Sequence, residues 1–188
     1  VKTLQKEFKF LQSKFQITPA SSSQVKYFRL RPDNFPSIRL SQFCSLYANN
    51  SKLFSNLMQQ DAKMNMYDLL KAQASAYWDT HYTFSKESKL KTKKLTNSFK
   101  DLLIINTILP LKFAFQTYKG SLNFEEDILP LISSLSPEMN SISTGFQKLK
   151  PKMIHSALET QALIHLKRNY CDANKCMKCQ IGLELIHI

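Results

Sequence analysis

Apolar residues recur at helical spacing along most of this chain, and no alternating pattern of useful strand length interrupts them. Leu4, Phe8, Leu11 and Phe15 mark a first amphipathic helix, with Lys2, Lys6, Lys9 and Lys14 between them. It stops before Pro19, and Ser21-Ser22-Ser23 reads as a loop. The segment Arg29-Leu-Arg-Pro-Asp-Asn-Phe-Pro36 holds two prolines and must run extended or turned. Pro36 suits a first helical turn, so a second helix follows, with Ile38, Leu40, Phe43, Leu46 and Tyr47 on its apolar side. Ser51 is placed to cap a third helix carrying Leu53, Phe54, Leu57 and Met58. A fourth runs from about Asn65 with Met66, Leu69, Leu70, Ala74 and Trp78.

His81 to Thr96 is polar and Lys-rich and reads as a long loop. From Asn97 the apolar residues run nearly all round, the mark of a central buried helix, and Pro110 must kink or end it. Leu103, Ile104, Ile108, Phe113 and Trp78 are the expected core. Gly120 terminates that segment, and Asn123 is placed to cap the next. Short helices follow around Ile128–Leu135 and Glu138–Leu149, and a stronger one spans Ser156 to Tyr170. The pattern predicts an all-α fold: residues 1–188 as a single compact multi-helix domain, with a cysteine-containing helical corner at 171–182.

Composition narrows the function classes. The longest apolar stretch, Leu102 to Phe115, is broken by Asn106, Thr107, Pro110 and Lys112, and a span needs about 20 apolar residues, so no membrane partner is expected. Only 3 Gly are present, too few for a Gly-rich phosphate loop or a Rossmann turn. Val1 opens an amphipathic segment with neither a signal peptide nor an initiator Met, so the chain reads as the C-terminal part of a longer protein. Four Cys, three of them clustered, do not form a secreted disulfide framework and point to a reducing cytoplasm.

Charge adds a further constraint. Lys and Arg outnumber Asp and Glu by 26 to 14, and residues 1–40 and 81–120 each carry +6. Lys86, Lys89, Lys91, Lys93, Lys94 and Lys100 form the densest basic run, opposed within it by Glu87 and lying beside Tyr77, Trp78, Tyr82 and Phe84. Such a loop can release counterions from phosphates while aromatic rings stack on bases. Arg29, Arg31 and Arg39 flank the two-proline turn and can clamp phosphate. The plainer readings are a solvated loop and a structural hub in which Asp33 caps the next helix and Phe35 anchors the turn.

Cys171, Cys176 and Cys179 form C-x4-C-x2-C. A Cys-x2-Cys turn aims two thiolates at one centre, as zinc and iron–sulfur sites require. Zinc needs a fourth ligand, and His187 is nearest in sequence, with His165, His155 and Cys44 as the other candidates. The competing reading is three reduced thiols packed at a helical corner. Asp79 and His81 lie close enough in sequence to orient a general base, but no nucleophile elbow, His-Glu-x-x-His or Walker lysine accompanies them. Catalysis by this chain alone is therefore not expected.

Several segments together resemble one family: Arg31-Pro-Asp-Asn-Phe-Pro-Ser-Ile-Arg39, Tyr77-Trp-Asp-Thr-His-Tyr82, Leu103-Ile-Ile-Asn-Thr-Ile-Leu-Pro110, and Gln161 to Cys171 continuing through Cys176-Met-Lys-Cys-Gln-Ile-Gly182. The chain resembles the C-terminal portion of a bacterial family termed domain of unknown function twenty-eight fifty-one. The resemblance implies members about twice this length. It also implies an N-terminal α+β portion loosely similar to a metal-dependent nuclease core, whose Gly-Pro-Asp-Phe and Val-Glu-Ile-His segments do not occur here. Cys44 and Leu95-Thr96 depart from the family pattern, where a small apolar residue and Leu-Gly are expected. Two functions are carried forward. One is a basic accessory module associated with nucleic acid, partnered by the rest of its parent chain. The other is a structural or protein-interaction domain whose cysteine corner binds zinc.

Overall fold

The computed structural model describes residues 2–21, 25–120 and 124–186. Helices dominate, and the described strands are β1 (His81–Thr83) and β2 (Lys86–Glu87), an antiparallel hairpin with an irregularity in register between His81 and Thr83. The all-α expectation therefore holds, with one small hairpin where a loop was expected. The backbone divides into two compact units, residues 1–41 with 74–93, and residues 42–73 with 94–188.

The first unit contains α1 (Lys2–Phe15), a 3₁₀ turn at Pro32–Asn34, the start of α2 (Pro36–Asn49), a 3₁₀ turn at Ala76–Asp79, and the hairpin. Its core is small: Ile38, Ala74 and Trp78 are buried, and Phe35 and Tyr82 pack against them. α1 buries none of its residues, and its apolar stripe is exposed, with Leu4 at 75 % and Phe15 at 60 %. The hairpin is held to its own unit by the backbone: Ser88 N–H donates to the Thr80 carbonyl and Lys91 N–H to the Asp79 carbonyl.

The second unit carries the larger core. α3 (Leu53–Gln59) and α4 (Lys63–Leu69) contribute Leu57 and Met66, the turn between α5 (Asn97–Leu103) and α6 (Leu109–Tyr118) contributes Ile104 and Ile108, and α6 and α7 (Phe124–Ser134) contribute Leu109 and Leu131. α8 (Ser141–Leu149), α9 (Ala157–Leu166) and α10 (Gln180–Ile186) are the unit's remaining described α-helices, and α9 adds Ala157 to this core. Pro110 does not end the central helix. A π-turn at Ile104–Ile108 joins α5 to α6, and Leu109 N–H donates to the Ile104 carbonyl, so Pro110 falls in the first turn of α6, where its missing N–H costs little.

Several local expectations change. α4 ends at Leu69, and Ala74 and Trp78 belong to the other unit. Leu40, Phe43, Tyr47 and Phe113 are exposed, and Leu103 is half-buried. Ser51 does not cap α3, whose N-cap position is Lys52. Asn123 lies outside the described residues. Caps not foreseen do the work further on: the Asn140 side chain accepts from Ile142 and Ser143 N–H, and Glu159 accepts from Ser156 N–H at the start of α9.

Two buried ammonium groups hold the second core together. Lys112 donates to the Gln60 carbonyl at 2.5 Å and Lys100 to the Tyr67 carbonyl at 2.8 Å. The Tyr67 hydroxyl donates to Asp101, and burial, then that carboxylate, push the phenol above its ordinary range.

Candidate nucleic-acid interface and thiol-lined cavity

In the first unit Lys and Arg outnumber Asp and Glu by 12 to 4, so this third of the chain carries +8 of the +12. The two-proline turn and the hairpin meet at Asp33. Tyr82 hydroxyl donates to Asp33 Oδ1 at 3.0 Å and Lys91 Nζ to Oδ2 at 2.6 Å. The Lys91 ammonium holds the Asp33 carboxyl below the usual carboxylate range, and Asp33 holds Lys91 above the usual lysine range. Asp33 is thus a cross-strut rather than a helix cap, while Phe35 does anchor the turn, edge-on to both Tyr27 and Tyr82.

The basic residues separate into those held inside this unit and those presented outward. Lys93 is buried, with Nζ 3.0 Å from the Asp79 carbonyl and 4.2 Å from the Tyr82 ring centre; burial lowers its pKa. Lys91 is engaged by Asp33. Arg39 is half-buried and donates to Asn34 Oδ1. Arg29, Arg31, Lys86 and Lys89 are exposed. Arg29 holds a left-handed backbone (φ 62°) and lies over the Phe28 ring at 5.3 Å. Lys94 is exposed and belongs to the second unit.

Aromatic rings accompany the exposed cations. Phe84, 78 % exposed, lies in the hairpin turn 5.1 Å from Trp78 and 6.1 Å from Tyr77. His81 stacks on Tyr77 at 4.2 Å. Its Nδ1 lies 3.1 Å from the Tyr77 carbonyl oxygen and 3.0 Å from Thr80 Oγ1, while Asp79 Oδ1 is buried without a hydrogen-bond partner among the described residues. Asp79 and His81 therefore form no general-base pair. Phe28, 82 % exposed, is a candidate the sequence did not single out; its one signal is its position beside Arg29.

The cysteine corner is local to the second unit. A π-turn at Lys167–Cys171 continues α9, and a 3₁₀ turn at Cys176–Lys178 leads into α10. Lys175 N–H donates to the Tyr170 carbonyl, Cys179 N–H to the Cys176 carbonyl, and Leu183 N–H to the Cys179 carbonyl. A Cβ on Gly182 would sit well inside contact distance of the Cys176 carbonyl, so only Gly lets α10 approach this turn. Cys171, Cys176 and Cys179 line one cavity of about 180 Å³ with Phe146, Leu166 and Leu185. All three are free thiols. Among the described residues no group of three or more His, Cys, Asp or Glu side chains is gathered for a metal ion. His187 lies outside the described residues. His165 Nδ1 lies 2.9 Å from Asn169 Nδ2, and Cys44 is exposed on α2.

Among the described residues no helix is long and apolar enough to cross a membrane. The two-proline turn, the Tyr77–Tyr82 segment and the π-turned central helix are the parts of this fold that carry its recognisable sequence. They fall within residues 1–141, which match the family described as "Protein of unknown function (DUF2851)". The chain belongs to the DUF2851 family. The match covers three quarters of the chain and stops short of the Gln161–Gly182 segment. No curated protein and no solved structure matches this DUF2851 chain.

Proposed function

We propose that this DUF2851 chain is a nucleic-acid-binding accessory module that engages single strands through its first unit. The observation that carries this reading is the net +8 of that unit beside an exposed aromatic cluster at the hairpin turn. Exposed cations supply affinity by releasing counterions from the phosphate backbone. Phe84 and Tyr77 offer faces on which unpaired bases stack, which favours single strands over duplex. The chain supplies binding, and chemistry belongs to the nuclease-like portion that the family resemblance implies.

A quadruple variant, Arg29→Gln, Arg31→Gln, Lys86→Gln and Lys89→Gln, tests it by fluorescence anisotropy on a mixed-sequence single-stranded oligonucleotide. Four lost phosphate contacts should flatten the slope of log K against log salt by about 3, at roughly 0.7 per contact on single strands. Lys91→Gln and Lys93→Gln should act mainly through stability, because both amines are engaged within the unit. An unchanged slope in the quadruple variant would remove this surface from the reading.

A second reading, a zinc-binding cysteine corner, draws support from the three thiols sharing one cavity. Three thiolates and a fourth ligand would close a tetrahedral site. Elemental analysis of untagged protein tests it. Stoichiometric zinc that is lost in Cys176→Ser supports the site. Less than about a tenth of a metal per chain, with a melting temperature indifferent to chelator, removes it.

A further inference from the structure

A second concave site lies wholly within the second unit. Its cavity of about 390 Å³ is lined by Lys71, Lys94 and Lys100, together with Ser45, Asn49 and Gln73. Its walls are fixed by backbone pairing: Gln73 bridges Lys94, and Leu95 N–H donates to the Ala72 carbonyl at 3.0 Å. Those two strands of chain, far apart in sequence, bring Lys71 and Lys94 to one opening. α5 contributes Lys100, and the C-terminal half of α2 contributes the Ser45 hydroxyl and the Asn49 amide.

Cations are in excess at this cavity: three lysines line it, and among the described residues no carboxylate does. Lys71 is paired with Asp68 at 2.7 Å, on the exposed side of the same turn. Lys100 is buried; its ammonium donates to the Tyr67 carbonyl and lies 5.2 Å from the Tyr67 ring centre, and that one hydrogen bond uses one of its three N–H donors. Burial, then Lys71, hold Lys100 below the ordinary lysine range against the pull of Asp68, and an anion in the cavity would favour its charged form. The volume falls inside the range of about 300–1,000 Å³ usual for small-molecule sites.

We propose that this cavity binds a phosphate monoester, with Lys71, Lys94 and Lys100 meeting the dianionic oxygens and Ser45, Asn49 and Gln73 meeting a sugar-sized polar body. Charge-assisted hydrogen bonds to the phosphate oxygens supply the affinity, and the side-chain hydroxyl and amides supply orientation. The ester has two sources, a free sugar phosphate or the 5′-phosphate end of a strand. The site does not depend on the first unit's surface.

Isothermal titration of the whole chain at fixed salt with ribose 5-phosphate, ribose and inorganic phosphate tests the proposal. Ribose 5-phosphate should bind, inorganic phosphate should bind more weakly, and ribose should not bind. Lys71→Gln with Lys94→Gln, both exposed positions, should weaken ribose 5-phosphate by at least about tenfold, as loss of a charge-assisted hydrogen bond implies. Lys52→Gln, an exposed lysine elsewhere, should leave it unchanged, as should the quadruple variant of the first unit. Tighter binding of a 5′-phosphorylated oligonucleotide than of its 5′-hydroxyl counterpart identifies the strand end as the source; equal binding identifies the free ester. Absence of ribose 5-phosphate binding, or equal binding by the Lys71/Lys94 variant, overturns the site. Neither result touches the salt slope on which the nucleic-acid reading stands.

Discussion

Ile104 shows how much one position can carry. It is fully buried where the central helix changes from α to π geometry, and it packs in the larger core. Ile104→Ala should cost about 2–5 kcal/mol in chemical denaturation, from lost transfer energy and the cavity left behind. Phe113, on the next turns of the same helix, is 46 % exposed, and Phe113→Ala should cost well under the Ile104 value. Equal losses would mean that the helix is rotated from the orientation described. Gly182 is decisive for a different reason. Gly182→Ala forces a methyl against the Cys176 carbonyl and should cost about 1–3 kcal/mol. Hydrogen exchange should then quicken in α10 and the cysteine turn before it changes in the core. Asp33 gives a pH signature. Its pKa is lowered from 3.8 in the folded chain by Lys91, so its stabilisation is complete above that value and is lost as pH falls through the folded pKa. Both partners are more than half exposed, so the effect is small. The melting-temperature gap between wild type and Asp33→Asn should close on acidification below about pH 4. A gap that persists at pH 2 would point to packing rather than charge.

Helix ends and interruptions show what the element scale adds. α8 starts from Asn140, whose side chain accepts two backbone N–H groups while Ser143 Oγ accepts the Asn140 N–H. Asn140→Ala should cost about 1 kcal/mol, and Asn140→Ser should recover most of it. The sequence places most helices because their apolar spacing is local information. It misplaces their ends where tertiary contacts decide. Pro110 reads as a break, but a π-turn moves it into a position that tolerates it. Leu40 and Phe43 fit the helical stripe of α2 and still face outward, since Ile38 and Leu46 on that helix fill different cores. The hairpin at His81–Glu87 is illegible as strand because it is only a few residues long, polar, and held by backbone bonds to Asp79 and Thr80.

At the scale of the molecule, charge is the property on which the proposed function rests. The sequence shows the basic run and its neighbouring aromatics, because both are contiguous. It cannot show which lysines remain outward. Lys93 is drawn inside by the Asp79 carbonyl and the Tyr82 ring, and Lys91, though exposed, is engaged by Asp33 from 58 positions away. Lys71 and Lys94 meet at one cavity only through a long-range bridge, and no local pattern encodes it. The cysteine turn was legible from its spacing, whereas the approach of α10 that Gly182 permits was not. The central claim is that the first unit's positive surface binds the phosphate backbone of single strands. Its most direct test is the affinity of the wild-type chain for mixed-sequence single-stranded RNA and DNA, measured at several salt concentrations. The account predicts binding at low salt, a linear fall of log K with log salt corresponding to about four phosphate contacts, and weaker binding to duplex. No binding at low salt, or an affinity independent of salt, would contradict it.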